Sequence, residues 1–306
     1  MNKLLKDKLK DYEIHIFEKN ERIGGRLATI DIEENAYESG GSIIHERNLY
    51  AKKYTKAFGL KRREDFKEDK KNCIMNGTEM VFCESDNKFI DIIKGAWRYG
   101  FNLSSMKKQV INILDDFDKI YDLQNDGISF NNVHDLLYSM NPQFVDFTRE
   151  FYSSLVKNQG YNNNFINEIL QSITLVNYGQ GASIPAFVGF VSFAGAGADL
   201  WSIEGGNKRL VNKFYDHSNC IIHKQAFVRS VTALSDNKFS VSYKGTENNV
   251  KEVFDVVILA FPITAKSDIE LINIDYHDKL SPNNYDMHLT KATFVKVSFM
   301  FFLCIF

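Results

Sequence analysis

The chain has 306 residues, 44% of them hydrophobic, and sets 37 Lys+Arg against 39 Asp+Glu for a net charge of −2. That length can bury a sizeable core and suits two domains more readily than one. The balanced charge leaves no footprint for nucleic acid, and the run "KRREDFKEDKK" at 61–71 mixes both signs as a solvated face does.

In chain order, Leu4, Leu5 and Leu9 recur at helical spacing, so residues 1–10 are expected to form the last turns of an amphipathic helix. "EIHIF" alternates Ile14 and Ile16 as a strand that closes on Glu18, and "NERIGG" supplies turn chemistry. Residues 49–58 are predicted as a helix ended by Gly59 in the left-handed cap position. Val110, Ile111, Leu114, Phe117 and Tyr121 repeat at three and four, and a second helical stretch is expected from about Phe144 to Leu175, broken near Gly160. After Gly206, "NKRLVNKFYDH" reads as a short helix, "CIIHKQAFVRSVTAL" as strand-rich, and "KFSVSY" as a strand after the "SDN" turn. "FDVVILAF" at 254–261 is continuously apolar and is expected to be a strand buried on both faces, stopped by Pro262.

The four cysteines, Cys73, Cys83, Cys220 and Cys304, lack CxxC spacing and a neighbouring His cluster, so no metal site is expected. Cys73 and Cys83 flank "NGTEMVF" and could pair across a hairpin in an oxidising compartment, while two buried thiols is the plainer reading. "MNKLLKDKLK" lacks the apolar stretch of a signal peptide, and "VSFMFFLCIF" is too short to span a bilayer.

The chemistry concentrates between residues 18 and 42. A carboxylate at the end of a strand, where Glu18 lies, can accept hydrogen bonds from adenosine ribose hydroxyls. Gly24 and Gly25 let the backbone approach a pyrophosphate, and Arg26 offers a charge for its oxygens. Gly40 and Gly41 repeat the device after the strand "AYES". Each pair alone is a common turn. In the order strand, Glu, GGR, strand, GG they point to a flavin adenine dinucleotide (FAD) site.

"FEKNERIGGRLATIDIEENAYESGGSIIHERNLYAKKYTKAFGL" resembles the prenylcysteine oxidase family, a branch of the flavin amine-oxidase-like enzymes. "IIKGAWRYGFN" at 92–102, "LVNYGQGASIPAFVGFVSFAGAGADLWSIEGGNKRLV" at 175–211 and "FDVVILAFPI" at 254–263 are similar to segments of that family in the same order, to about Lys296. The resemblance implies an α/β fold: an FAD/NAD(P)-binding Rossmann-like domain with a mixed helical and β substrate domain. The implied division is 1–70 for the start of the FAD domain, 71–200 mainly helical substrate domain, 201–263 a return with a β-meander, 264–296 a second substrate segment, and 297–306 a non-homologous tail.

The implied activity is thioether oxidation of farnesyl- or geranylgeranyl-cysteine by FAD and oxygen, giving cysteine, a prenyl aldehyde and hydrogen peroxide. Its implied FAD contacts are Glu18, Gly24, Gly25, Arg26, Gly40, Gly41 and Ser42, with Val228 at the adenine and Gly205 and Gly206 at the cavity. Tyr178, Trp201 and the apolar "IPAFVGFVSF" are candidates for substrate contact; for the apolar run a core helix, and for Trp201 a domain-interface anchor, are the competing readings. No residue is assigned as catalytic base, and His45, nearest a motif, is expected to make a structural hydrogen bond.

Family members begin with a strand and a G-x-G-x-x-G turn ahead of the strand that starts here at Glu13. They also continue beyond residue 296, and "KVSFMFFLCIF" begins with Val-Ser, whose codons can match an intron donor, so the tail reads as translated intron. The resemblance implies a lysosomal enzyme with a signal peptide; a chain complete as written would stay cytosolic. Asn76 and Asn102 head N-x-S/T sequons. A lipophilic substrate also implies peripheral membrane association, with no protein partner. Two alternatives stand beside this expectation: another flavin amine or thioether oxidase, and a non-enzymatic product unable to hold FAD.

Overall fold

A computed structural model describes residues 12–63, 71, 73–196, 200–245, 249–262, 268–274, 288–291 and 293–294. The expected N-terminal helix, Cys304 and the apolar tail lie outside the described residues. The chain divides into two compact units: Met1–Ser42, Lys53–Arg63 and Ser202–Ala292 in the first, and Ile43–Lys52, Glu64–Trp201 and Thr293–Phe306 in the second.

In the first unit, strand His15–Glu18 pairs in parallel with Ile221–Lys224. Strands Phe227–Ala233, Phe239–Lys244 and Asn249–Phe254 form an antiparallel meander, and Glu270–Ile272 runs parallel beside the first of them. Strict alternation in "FSVSYK" turns Val241 and Tyr243 inward, where they join Ala226 and Val231 in the core. Phe17 fastens the parallel pair onto this layer. Its ring stacks on His223 at 4.7 Å and meets Tyr243 at 4.7 Å and Phe254 at 5.8 Å.

Helix Leu49–Ala57 forms as its spacing predicts and is followed by Gly59 at φ +63°. In the first unit Tyr54 and Phe58 pack edge-on against Phe214 of helix Lys208–Asp216, at 4.8 and 5.1 Å.

One expectation is overturned. Residues 255–261 are not a strand; Val256 and Ile258 are 68% and 56% exposed. A strand buried on both faces of a parallel sheet needs a hydrogen-bonded neighbour, and among the described residues none runs beside this segment.

The second unit is mainly helical. Helix Asn102–Asn125 forms where the apolar spacing predicts. The stretch from Phe144 onward breaks at Gly160, which has φ +89°, and breaks again between helices Gln143–Phe147 and Tyr152–Asn158. Chain 43–52 belongs here because Arg47 bonds Asp115 at 2.7 Å and Asp118 at 3.0 Å, while the Tyr121 hydroxyl donates to the Arg47 carbonyl at 2.9 Å. Helix Ala186–Ala194 lies in the core, burying Phe190 and Phe193. The core reading of "IPAFVGFVSF" is therefore the one that describes its buried face. Among the described residues no helix is long and apolar enough to cross a membrane.

The plainer reading of the cysteines is also corrected. Cys73 and Cys83 form a disulfide across the hairpin of strands Cys73–Met75 and Met80–Cys83. Directly opposed positions hold their Cα atoms 4.0 Å apart, so the register itself brings the two sulfurs together.

Helix Lys88–Tyr99 is tied down by Glu168. Arg98 donates to both of its carboxylate oxygens at 2.7 and 2.6 Å, and the Tyr99 hydroxyl adds a bond at 3.0 Å. Hydrogen bonding from Arg98 holds the Glu168 carboxyl below its usual range, outweighing burial. Its stabilising effect is thus full above the ordinary glutamate pKa and is lost as pH falls through the lower folded value. Glu168→Gln should cost about 2 kcal/mol at neutral pH, and the gap from the parent should close as urea melts are repeated into acid. A gap that widens in acid would contradict this. At Gly189 an added Cβ would lie 2.2 Å from the Tyr152 ring. Gly189→Ala should destabilise by about 1–3 kcal/mol in urea unfolding; an unchanged midpoint would show that this packing yields freely.

Candidate functional site

The candidate residues of the first unit gather around two strand ends. Glu18 closes its strand, and its Oε1 accepts from the Asn20 amide and the Asn20 side chain, both at 2.8 Å. The carboxylate is thereby oriented, while Oε2 accepts no hydrogen bond among the described residues. The Glu18 carbonyl accepts from the Ala226 amide at 3.0 Å, which places Val228, two residues on, in the strand beginning beside Glu18.

Gly24 and Gly25 follow in a turn closed by Leu27 N–H donating to the Gly24 carbonyl at 2.8 Å. Gly24 has φ +103°, a conformation that L side chains rarely adopt. Arg22 braces the turn by donating to the Gly25 carbonyl at 2.8 Å. Arg26 is exposed and pairs with no carboxylate among the described residues, so its guanidinium is available for an anion.

The antiparallel hairpin of strands Thr29–Ile32 and Asn35–Glu38 carries the chain out and back. Its return brings Gly40 and Gly41 against the first turn: Gly41 N–H donates to the Arg26 carbonyl at 2.9 Å. A Cβ on Gly40 would lie 2.0 Å from that same oxygen, so the second glycine pair exists for this close approach. Ser42 follows, exposed.

A third segment completes the constellation. Gly205 and Gly206 turn into helix Lys208–Asp216 through Asn207, which is only 2% exposed. Asn207 N–H donates to Glu38 Oε1 at 2.5 Å, its Nδ2 donates to the Gly41 carbonyl at 2.9 Å, and its Oδ1 accepts from Ile203 N–H at 2.9 Å. Asn207, Glu38 and Thr29 were not among the residues expected from sequence. An Asn directly after Gly-Gly at a helix start is the one local signal that could have marked Asn207. Glu38 Oε2 and Thr29 Oγ1 are buried without partners among the described residues. The structure thus places Glu18, Gly24, Gly25, Arg26, Gly40, Gly41, Gly205, Gly206 and Val228 in one unit; the 24–26 and 40–41 turns are joined by a backbone bond, and the 205–206 segment reaches them through Asn207.

This arrangement fits a dinucleotide. An oriented strand-end carboxylate suits ribose hydroxyls, and an exposed guanidinium beside a glycine turn suits pyrophosphate oxygens.

The other expected residues lie in the second unit. Tyr178 ends helix Gln171–Tyr178, half-buried, and burial raises its pKa. Trp201 is buried in a two-residue strand antiparallel to Ile44–His45. His45 Nδ1 accepts from the Arg47 amide at 3.1 Å, the structural hydrogen bond expected of it. Asn76 is exposed at the tip of the disulfide hairpin, and Asn102 opens helix Asn102–Asn125.

Asn207→Ala would strand the Gly41 carbonyl and the Ile203 amide. It should cost about 2 kcal/mol or more in chemical denaturation, with the loss read in the first unit by hydrogen exchange. A cost within experimental error would mean that the three segments are held by other contacts.

The prenylcysteine lyase family pattern matches residues 82–302, and that of the NAD(P)-binding Rossmann-like domain matches residues 2–58. Prenylcysteine oxidase 1 of Rattus norvegicus is 33% identical over 274 residues, covering 87% of this chain and 54% of the relative. The Homo sapiens protein of that name is 34% identical over 276 residues, again with 87% and 54% covered. The chain spans about half the length of these curated relatives. Among solved structures, a putrescine oxidase triple mutant superposes with TM-score 0.55 at 19% identity, covering 83% of this chain and 54% of that one. A fatty acid isomerase from P. acnes superposes with TM-score 0.56 at 16% identity, covering 90% and 58%. The fold is α/β, with a Rossmann-like dinucleotide-binding unit and a largely helical one, and the chain belongs to the prenylcysteine lyase family.

Proposed function

We propose that this chain carries the FAD cradle and part of the substrate unit of an oxidase acting on the thioether of prenylcysteine. The observation that carries this reading is the linkage of the 24–26 turn, the 40–41 turn and Asn207 in the same unit as Glu18, in a prenylcysteine lyase family member. Glu18 would hold the adenosine ribose, Arg26 and the glycine turns the pyrophosphate, Val228 the adenine through its backbone, and Ser42, Gly205 and Gly206 the flavin side of the cavity.

Bound FAD supplies a two-electron acceptor for the thioether. The carbon to be oxidised is allylic and adjacent to sulfur, so positive charge arising there is delocalised over both. In the net reaction, thioether, water and oxygen give cysteine, prenyl aldehyde and hydrogen peroxide. The protein's share is to bind, orient and exclude competing reactions. Tyr178 and Trp201 are proposed as substrate contacts; burial raises the Tyr178 pKa.

A prenyl substrate has to be taken up from a lipid environment, and helix Lys88–Tyr99 offers a surface for that. Phe89, Ile92, Ile93 and Trp97 form an exposed stripe at helical spacing, continued by Phe101. With Lys88 and Lys94 on the same helix, this face suits the interface of an anionic membrane. The Cys73–Cys83 bond supports passage through an oxidising secretory compartment, on the way to the lysosome that we propose as destination, and exposure on the hairpin tip supports glycosylation at Asn76.

The decisive assay supplies FAD, oxygen and farnesylcysteine to the 306-residue chain and follows peroxide. Turnover should appear, with putrescine giving none. Glu18→Ala and Arg26→Ala should each weaken FAD binding about 10-fold or more, as expected for loss of a charged hydrogen-bond partner. A chain that stays colourless in excess FAD and makes no peroxide would instead favour a product unable to hold the cofactor.

A further inference from the structure

We propose that His15, His223 and Glu252 form a binding site for a divalent transition ion, with Zn2+ the metal best matched by the ligand set. The three side chains come from different strands of the first unit: His15 and His223 from the parallel pair, and Glu252 from the last strand of the meander. One ligand atom from each lies within 4.8 Å of the others. His15 Nδ1 is 3.0 Å from His223 Nε2 and 3.5 Å from Glu252 Oε2. Tetrahedral Zn2+ with bonds near 2.0–2.1 Å sets its ligand atoms about 3.3 Å apart, and the two spacings fall on either side of that value.

The groups behind these ligands make the cluster more than a chance encounter. A metal-binding imidazole ordinarily donates its second N–H to a carboxylate, which fixes ring orientation and raises basicity. His15 has a carboxylate placed for this: its Nε2 lies 2.8 Å from Glu13 Oε1, and in the tautomer that donates there the Nδ1 lone pair faces the cluster. Glu252 is oriented in the same manner, since the Tyr243 hydroxyl donates to its Oε1 at 2.5 Å and leaves Oε2 for the ion. The rings are also held by packing: Phe17 stacks on His223 with 9° between planes, and Phe254 meets His15 edge-on at 5.2 Å.

In the metal-free form His223 Nε2–H can donate to His15 Nδ1. Uptake of an ion moves that proton to His223 Nδ1 through solvent, so both imidazoles bind as neutral ligands with no net proton release. Two imidazoles and one carboxylate leave a fourth position for water. Glu252 is 30% exposed at its side chain, against 13% for His15, which gives an ion a path from solvent. Among the described residues no hydrogen bond joins these three side chains to the 24–26 or 40–41 turns.

Co2+ serves as a visible stand-in for Zn2+. Titrated into the 306-residue chain, it should produce the d–d bands of a tetrahedral complex, saturating at one ion per chain and bleached by Zn2+. His223→Gln and Glu252→Gln should weaken binding about 100-fold, and Tyr243→Phe, which keeps the ring in the core, about 10-fold. Asp255→Asn, a nearby acid outside the trio, should bind as the parent does. Absence of tetrahedral bands, or equal affinity in the parent and in all three cluster variants, would overturn the proposal.

Discussion

A single buried amide organises the first unit. Asn207 is covered from solvent and directs its backbone N–H, Nδ2 and Oδ1 to three different segments: the end of a hairpin, the turn that follows it, and its own preceding loop. A buried Asn is costly unless all its donors and acceptors are matched, and here the matches lie 169 and 166 residues away in sequence. Because Gly41 is in turn bonded to the Arg26 carbonyl, fixing Asn207 fixes the first glycine turn as well. The spacing of these turns follows from the hairpin between them, whose register sets Thr29 opposite Glu38.

The second unit relies on a different device. Its helices pack through large aromatics around helix Ala186–Ala194, with Gly189 allowing Tyr152 to approach the backbone. The amphipathic helix Lys88–Tyr99 contributes little to that core beyond Tyr99 and is held at its end by the paired bonds of Arg98 and Tyr99 to Glu168. An element held by charge at one end, and not by broad apolar burial, can leave a wide apolar stripe facing outward. The neighbouring hairpin is closed covalently by Cys73 and Cys83. Short two-stranded hairpins are marginal alone, so the crosslink suits a piece with little core of its own.

Local signals were readable where the physics was local. Ile14 to Glu18, the helix before Gly59, the apolar repeat from Val110 to Tyr121 and the alternation in "FSVSY" each form the element that their spacing predicts. The order strand, Glu, glycine pair, strand, glycine pair was legible in the sequence, and the structure folds the two glycine pairs against each other in the same unit as Glu18. What spacing could not reveal depends on distant partners. The apolar run at 254–261 carries a buried strand's composition, yet a strand exists only where another strand supplies hydrogen bonds. Asn207 looked like the start of a helix and is also the clasp of the site. Cys73 and Cys83 left two outcomes open until register set them opposite each other. His15, His223 and Glu252 share no motif, since three separate strands bring them together.

The central claim is that the turns at 24–26 and 40–41, together with Glu18 and Asn207, form one cofactor-binding surface. Hydrogen–deuterium exchange of the chain with and without FAD tests it most directly. Protection gained together at 18–27, 38–42 and 203–208, with little change in the 102–125 helix, is the predicted result. Protection confined to one of these segments, or found only elsewhere, would contradict the account.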